Sequence, residues 1–586
     1  MSDLPPQILT SNPIGADEQR LLDRLRDLRQ EAERWKEDVL TRSDELTEDD
    51  DLKLYRGEVG PKDRLFDANF VQAFIDRMSA SLTDNRPILR VEHRKVGMKK
   101  TAEVLEKVIT AVWQESDLQR QTFKMVHNAA ISRSAGLYTG YDPINDEIFF
   151  EVLRKDQVLV DPLTVEAGFF DRAEYVFIKR VRPVSELKQR FPGRGALVVA
   201  DAPVGTPQSA RREVDSPLPD LLKRKRERDA TATRKGAIAR AVVWEAFIQD
   251  RQLSPDGMLL FPHGRHLIFT DDVVLSDGPN PFWDGLIPVD WFDWGVDPEH
   301  PWGWSETMRL RRLQTSFNML AGGLVENQIL TNFITVLMDA DVLDSKQMKQ
   351  LNKIRSSLIL RKQGGPNKML SIEPPKPFGA DKVQIARMIF SFAQLLCGIT
   401  DVTLGENPGS LQSGQAVEGL QEGANLMTRA RASRLEDLFT RVGNKIIARI
   451  FQFMTSDRIF QIMGPTGEAL DYAFKRNELF LNDAGQPLTD QERQDVFRYT
   501  RFSVLPGSSA PGSRLHRAQM AMQLNALGLV SGRYVLQAAD FQDPDGMMKE
   551  AEEWMAKRAA HMPQDTLSQG AARTAANQAL STGGGR

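Results

Sequence analysis

The sequence predicts a mainly α protein with a mixed α+β section in its first half. Three observations carry that prediction. Apolar residues recur at 3,4 spacing over 17–40 and again through most of 303–456. Between Gly136 and Phe269 the pattern changes to period 2, broken by Gly, Pro and Asn-Asp turns. A short mixed piece at 333–378 interrupts the helical half, between two long helices.

The elements follow in order. Residues 1–16 hold Pro5, Pro6, Pro13 and Gly15 and read as a flexible arm. Leu25, Leu28, Ala32, Trp35 and Val39 form the stripe of a first helix over 17–40, which the acidic run 48–51 and the turn after it should end. A second helix is expected over 66–82, stopped by Asp84-Asn85-Arg86-Pro87, and a strand over 88–93. One helix is expected over 99–134. Strands follow at 137–142, 147–153, 157–162 and 174–181, then a short helix at 183–191. Residues 200–236, rich in Pro, Ser, Thr and basic residues including 223–226, read as a mobile insertion. Strands resume at 241–248 and 259–269, and 277–301 is dense in Pro, Gly and Trp.

The helical half opens with 303–332, striped by Leu310, Leu313, Phe317, Leu320 and Leu324. The piece at 333–378 reads as strand, helix (345–355) and strand. A second helix over 380–398 carries Ile385, Ile389, Phe392 and Leu396. A third over 415–456 is expected to kink near Arg429–Arg434, where its stripe loses apolar members. Residues 457–512 read as short strands and loops, 513–560 as helices with Ser531 an N-cap, and 563–586 as a disordered tail.

Composition narrows the function classes. The 586 residues carry 76 Lys+Arg against 80 Asp+Glu, a net charge of −4. A protein that grips DNA by whole-chain charge is basic, so that class is set aside. A single cysteine, Cys397, leaves no internal disulfide and no Cys-based zinc site, as in reducing cytosol. The N-terminus lacks the basic and apolar regions of a secretory signal, and the most apolar stretch, 385–399, is too short for a membrane span. No membrane partner is expected. No phosphate-binding loop, HExxH or GxSxG is present, so the chain reads as not an enzyme, with no cofactor. His263 and His266 lack a third metal ligand nearby. Residues 541–552 resemble a calcium loop but begin with Phe541, so no metal is expected. Cys397 reads as a buried, inert thiol. The mixed charges Glu418, Glu422, Arg429, Arg431, Arg434, Glu436 and Asp437 read as an exposed helix face, or one turned to another copy or a central bore.

Several segments resemble a tailed-bacteriophage portal protein (head-to-tail connector) of the podovirus, short-tailed type. They are NFVQAFIDRMSASLTDNRPILRVE (69–92), VLVDP (158–162), DRAEYVFIKRVRPVSELKQRFPG (171–193), GLIPVDWF (285–292), WGWSETMRLRRLQTSFNMLAGGLVENQ (302–328) and ITDVTLGENPGSLQSGQAVEGLQEGANL (399–426). The resemblance implies the portal fold: a mixed α+β wing, stem helices, clip, tunnel loop and crown, in a ring-forming subunit. On it, 17–302 is the wing with its insertion at 200–236, 303–332 the first stem helix, 333–378 the clip and 379–399 the second stem helix. Residues 400–414 are the tunnel loop, 415–456 the long wing helix, 457–512 the wing's return and 513–562 the crown.

The implied function is a ring of twelve copies at one capsid vertex, the conduit for genome packaging and ejection. Its partners would be double-stranded DNA, the terminase large subunit, a tail adaptor, and capsid and scaffolding proteins. It would be assembled in the host cytoplasm and reside in the virion. Thr403, Glu406, Asn407, Ser410, Gln412 and Ser413 are the loop's candidate DNA-facing residues, with Gly405, Pro408, Gly409 and Gly414 as hinges. Lys346, Lys349 and Lys353 are candidate docking residues of the clip. The residue pattern agrees: two apolar helices parted by a small outlying module leave faces for neighbouring subunits. A self-assembling cytosolic helical scaffold with no DNA role is the competing reading.

Overall fold

The computed structural model describes residues 16–43, 48–57, 68–84, 87–93, 99–164, 166–200, 239–253, 257–331, 334–338, 358–362, 371–373, 380–399, 426–454, 458–463, 469–474, 489–504, 514–538, 547–549, 551, 553 and 554. The arm 1–15, the insertion 201–238 and the tail beyond 554 lie outside the described residues, so the expectations for them are not addressed. The chain divides into two units, 1–456 with 476–511, and 457–475 with 512–586.

The first unit opens with helix α1 (Ala16–Ser43), which buries Leu22, Leu25 and Ala32. The acidic run does not simply end it. Glu48–Tyr55 is a helix of its own, α2. Helix α3 (Phe70–Thr83) is capped by Asn69, whose side chain accepts from the Gln72 amide at 3.2 Å. Strand β1 (Leu89–His93) follows as expected. The single helix expected over 99–134 is two, α4 (Lys99–Glu115) and α5 (Leu118–Ser132). Asp117, at φ 56°, takes the left-handed conformation and breaks the run between them.

Two antiparallel sheets come next. β2 (Ser134–Asp142) pairs with β3 (Glu147–Arg154) and with β9 (Val289–Asp293), in the order β3-β2-β9. The other sheet is a five-stranded meander of β4 (Val158–Val160), β5 (Tyr175–Pro183), β6 (Arg240–Ile248), β7 (Arg265–Phe269) and β8 (Val274–Pro279). Helix α6 (Val184–Arg190) follows β5. The strand expected over 259–269 is confined to 265–269, because Gly264 turns the chain at φ 87°. β8 and β9 were hidden by the Pro, Gly and Trp of their surroundings. The main core joins both sheets through Tyr138, Leu153, Val176, Phe247, Trp291 and Trp302. A second cluster sits under α1, with Phe177, Trp244 and Phe269.

Helix α7 (Glu306–Thr331) leads to β10 (Ile334–Met338), β11 (Leu358–Lys362) and β12 (Ser371–Glu373). β10 is central, parallel to β11 and antiparallel to β12. The helix expected at 345–355 lies outside the described residues. Helix α8 (Ala380–Cys397) precedes α9 (Leu426–Phe453), whose helical assignment is continuous through Arg429–Arg434. β13 (Arg458–Met463) and β14 (Ala469–Phe474) belong to the second unit. Helix α10 (Asp490–Tyr499), not expected, and β15 (Thr500–Val504) return to the first, where β15 pairs with β1. A Cβ on Gly443 of α9 would lie 2.1 Å from the Phe502 ring, so only glycine lets β15 lie this close to α9.

In the second unit β13 and β14 form an antiparallel pair, and α11 (Arg514–Ala526) packs on α12 (Gly532–Ala538). Ser531 caps α12 as read: its carbonyl and hydroxyl accept from the Tyr534 amide at 3.0 and 3.4 Å.

Candidate functional site

The loop candidates Thr403, Gly405, Glu406, Asn407, Pro408, Gly409, Ser410, Gln412, Ser413 and Gly414 lie outside the described residues, as do Lys346, Lys349 and Lys353. The described elements on either side of the loop in the chain, α8 and α9, both meet the start of α7. The site is the start of α7, the end of α8 and one face of α9.

α7 starts inside the protein: Ser305, Glu306 and Thr307 are buried. Ser305 is its N-cap, accepting from the Met308 amide at 3.2 Å. Glu306 accepts from Trp294 Nε1 at 2.7 Å and Arg431 Nη2 at 2.9 Å through one oxygen, and from Arg309 Nη1 at 3.2 Å through the other. The Arg431 guanidinium also lies 4.2 Å from the Trp294 ring centre. Burial draws Arg431 below its ordinary pKa, and the Glu306 charge opposes that shift. Cys397, closing α8, has its sulfur 3.6 Å from Glu306. Burial, then the neighbouring carboxylate, pushes its thiol far up, so it is the inert buried thiol expected. One carboxylate thus joins the end of β9, the start of α7, the end of α8 and the start of α9.

A charged seam continues along α9. Arg434 donates to the Asp293 and Trp294 carbonyls at 3.1 and 3.0 Å and pairs with the Asp293 carboxylate at 3.2 Å. Lys445 and Arg441 meet Asp290 at 2.9 and 3.6 Å. Arg449 pairs with Asp284, and Gln452 donates to the Pro281 carbonyl at 2.7 Å. Partner numbers fall as helix numbers rise, so the helix is zipped antiparallel onto segment 281–294. Burial pushes Asp290 above the usual carboxylate range, and Lys445 and Arg441 offset this only in part.

This corrects the reading of the α9 charges. Arg431, Arg434 and Glu436 turn into their own chain, and only Asp437 of that stretch is fully exposed. Glu418 and Glu422 lie outside the described residues. The overlooked signal was spacing: Arg434, Arg441, Lys445, Arg449 and Gln452 flank one side of the stripe Leu438, Val442, Ile446 and Ile450.

α7 and α8 run antiparallel, since Glu306 meets Cys397 and Phe317 meets Phe390, ring centres 6.3 Å apart. The buried face of α8 is Ala386, Ala393 and Cys397, not the expected stripe. Small side chains let the helices approach, and Ile385 and Phe392 stay 41% and 48% exposed. With Met388 and Leu395 they form an apolar face that the described residues of this chain do not cover. On α7 only Leu310 of the expected stripe is fully buried. Polar Gln314 goes inside because it caps α3, accepting from the Phe70 and Val71 amides at 3.2 and 3.3 Å.

His263 is an exposed turn residue, and His266 Nε2 lies 3.1 Å from Glu245. Among the described residues no group of three or more His, Cys, Asp or Glu is placed to hold a metal, and no helix is long and apolar enough to cross a membrane. The calcium-like positions Asp543, Asp545, Gly546 and Glu552 lie outside the described residues.

Glu245 carries a pH dependence. Burial acts to raise its carboxyl, but the His266 hydrogen bond and the Arg180 charge outweigh it and hold it at about 2 rather than 4.5. The unfolded chain takes up this proton near 4.5 and the folded chain only near 2. Its contribution is therefore complete above about pH 5 and drains away toward pH 2, on the order of 3 kcal/mol in all. Urea midpoints at pH 6, 5, 4 and 3 should fall less steeply in Glu245→Gln than in wild type. Equal slopes would contradict this account.

The profile of the Phage P22-like portal protein family matches residues 66–582. No curated protein matches the chain.

Proposed function

The chain belongs to the Phage P22-like portal protein family, a structural rather than enzymatic family of the virion capsid, and from that premise we propose that twelve copies form a ring at one capsid vertex. In this reading the ring is assembled in the host cytoplasm with capsid and scaffolding proteins. Double-stranded DNA passes through its bore during packaging and ejection. The observation that carries the reading is the α7–α8 pair, whose exposed face of Ile385, Met388, Phe392 and Leu395 calls for a neighbouring copy. Electron microscopy of the purified protein tests it. Twelvefold rings with a duplex-wide bore are expected; monomers or rods would favour a scaffold without a channel.

The near-neutral chain suits sliding. Each tight phosphate contact releases counterions and stabilises one register, so a strongly basic wall would act as a brake. The proposed tunnel loop, 400–414, offers Thr403, Glu406, Asn407, Ser410, Gln412 and Ser413 as polar groups for the DNA backbone, with Gly405, Pro408, Gly409 and Gly414 as hinges. Deleting 405–412 is expected to leave rings intact and to impair packaging or retention of DNA. Normal packaging by that variant would rule out a role for the loop.

Residues 333–378, around the β10–β12 sheet, are the proposed clip, which docks the terminase large subunit and later the tail adaptor. Reversing the charge of Lys346, Lys349 and Lys353 is expected to weaken capture of either partner in a pull-down while rings still form. Undiminished capture would move docking elsewhere.

A further inference from the structure

Residues 16–55 precede the region matched by the family profile, yet they are built into the first unit. α1 lays Leu22, Leu25 and Ala32 on the five-stranded sheet, in one cluster with Phe177, Trp244, Leu267 and Phe269. Its hold is also polar. Arg26 Nε donates to the Asp271 carbonyl at 2.9 Å, Arg29 pairs with the Asp271 carboxylate, and Arg194 pairs with Glu18 at 2.7 Å.

Further along α1, Lys36 is 8% exposed and donates to the carbonyls of Lys155 and Val158, the latter at 2.7 Å. Its ammonium lies 4.3 Å from the ring centre of Trp302, just upstream of α7. α2 then brings Asp51, 3% exposed, to Thr307 Oγ1 at 3.1 Å, inside the first turn of α7. Tyr55 donates to Asp76 of α3 at 2.7 Å. α1 therefore grips the sheet and reaches Trp302 through Lys36, and α2 grips the start of α7.

We propose that α1 and α2 together are a strap that positions the first turn of α7 against the five-stranded sheet, with Lys36 and Asp51 as its positioning residues. A buried ammonium held by two carbonyls and an aromatic face tolerates little displacement, because any shift leaves a charge desolvated without acceptors. The same holds for a buried carboxylate facing a buried hydroxyl. The strap thereby sets how α7 lies relative to the five-stranded sheet. For its effect on the channel this rests on reading α7 and α8 as channel walls; the fastening itself stands on the geometry.

Hydrogen exchange by mass spectrometry on the full chain tests the fastening. Lys36→Met and Asp51→Leu should speed exchange of the amides at 306–312 by about tenfold or more, with α4 and α12 unchanged. Asp51→Asn keeps an acceptor for Thr307 and should stay near wild type. Unchanged exchange at 306–312 in both variants would overturn the strap, as would uniform acceleration over the whole first unit, which marks mere loss of stability. Should Lys36→Met not fold, Lys36→Ala, which removes the donor and leaves no long side chain to bury, is read the same way. Rings of these variants, viewed by electron microscopy, should vary in subunit number. Absence of rings in the wild type would count against the channel reading alone, whereas uniform wild-type-like rings in variants with fast exchange at 306–312 would count against the strap's effect on assembly.

Discussion

Glu306→Ala is expected to lower the stability of the first unit by about 3–5 kcal/mol, the cost of leaving a buried charge without its partner. The carboxylate has no exposed surface and answers the donors of Trp294, Arg309 and Arg431 at once. Removing it strands the Arg431 guanidinium in a site where burial already draws down its pKa. The measurement is urea unfolding of the full chain followed by tryptophan fluorescence, with Trp294 stacked beneath Arg431 as a reporter. The double variant Glu306→Ala with Arg431→Met should recover much of the loss, because it removes the stranded charge as well. A single variant that unfolds with the wild type would mean that α9 and the helix pair are held by apolar packing alone.

Asp290→Ala should be comparably severe, again about 3–5 kcal/mol. Lys445 and Asp290 are both fully buried, and the ammonium would be left with the Val289 carbonyl at 3.4 Å. The raised pKa of Asp290 shows that burial costs this carboxylate more than its two cations return. The intact pair therefore contributes little net stability, while half of it costs a great deal. Asp290→Leu combined with Lys445→Met should accordingly lie close to wild type in the same unfolding assay. If Asp290→Ala alone is silent, the zipper along α9 does not hold the helix to segment 281–294.

Much of the helical architecture was readable because periodicity survives without knowledge of partners. α1, α3, α7 and α8 fall where their 3,4 spacing placed them, and β1 to β3 where alternation did. What failed has identifiable causes. The break at Asp117 is a single left-handed residue inside a continuing helical pattern. β9 is buried on both faces, so its residues do not alternate, and it is bracketed by turn formers. The Glu306–Arg431 pair spans 125 positions, and no local window shows that two charges so far apart will share one buried site. Nor did the sequence suggest that Gln314 would cap another helix.

The order of helix, small outlying piece, helix and long helix follows from the amino-acid pattern alone, and the family match bears out the sequence's resemblance to portal proteins. Which face of each helix goes inside was decided only by packing in three dimensions. Ile385 and Phe392 share a face by spacing, yet Ala386 and Ala393 are buried instead, because closeness to α7 favours small side chains. Arg431 and Arg434 resemble surface charges, yet they lie inward because Glu306 and Asp293 wait there to offset their desolvation. Periodicity records which residues lie together; desolvation and complementary partners determine which of those faces leaves the water.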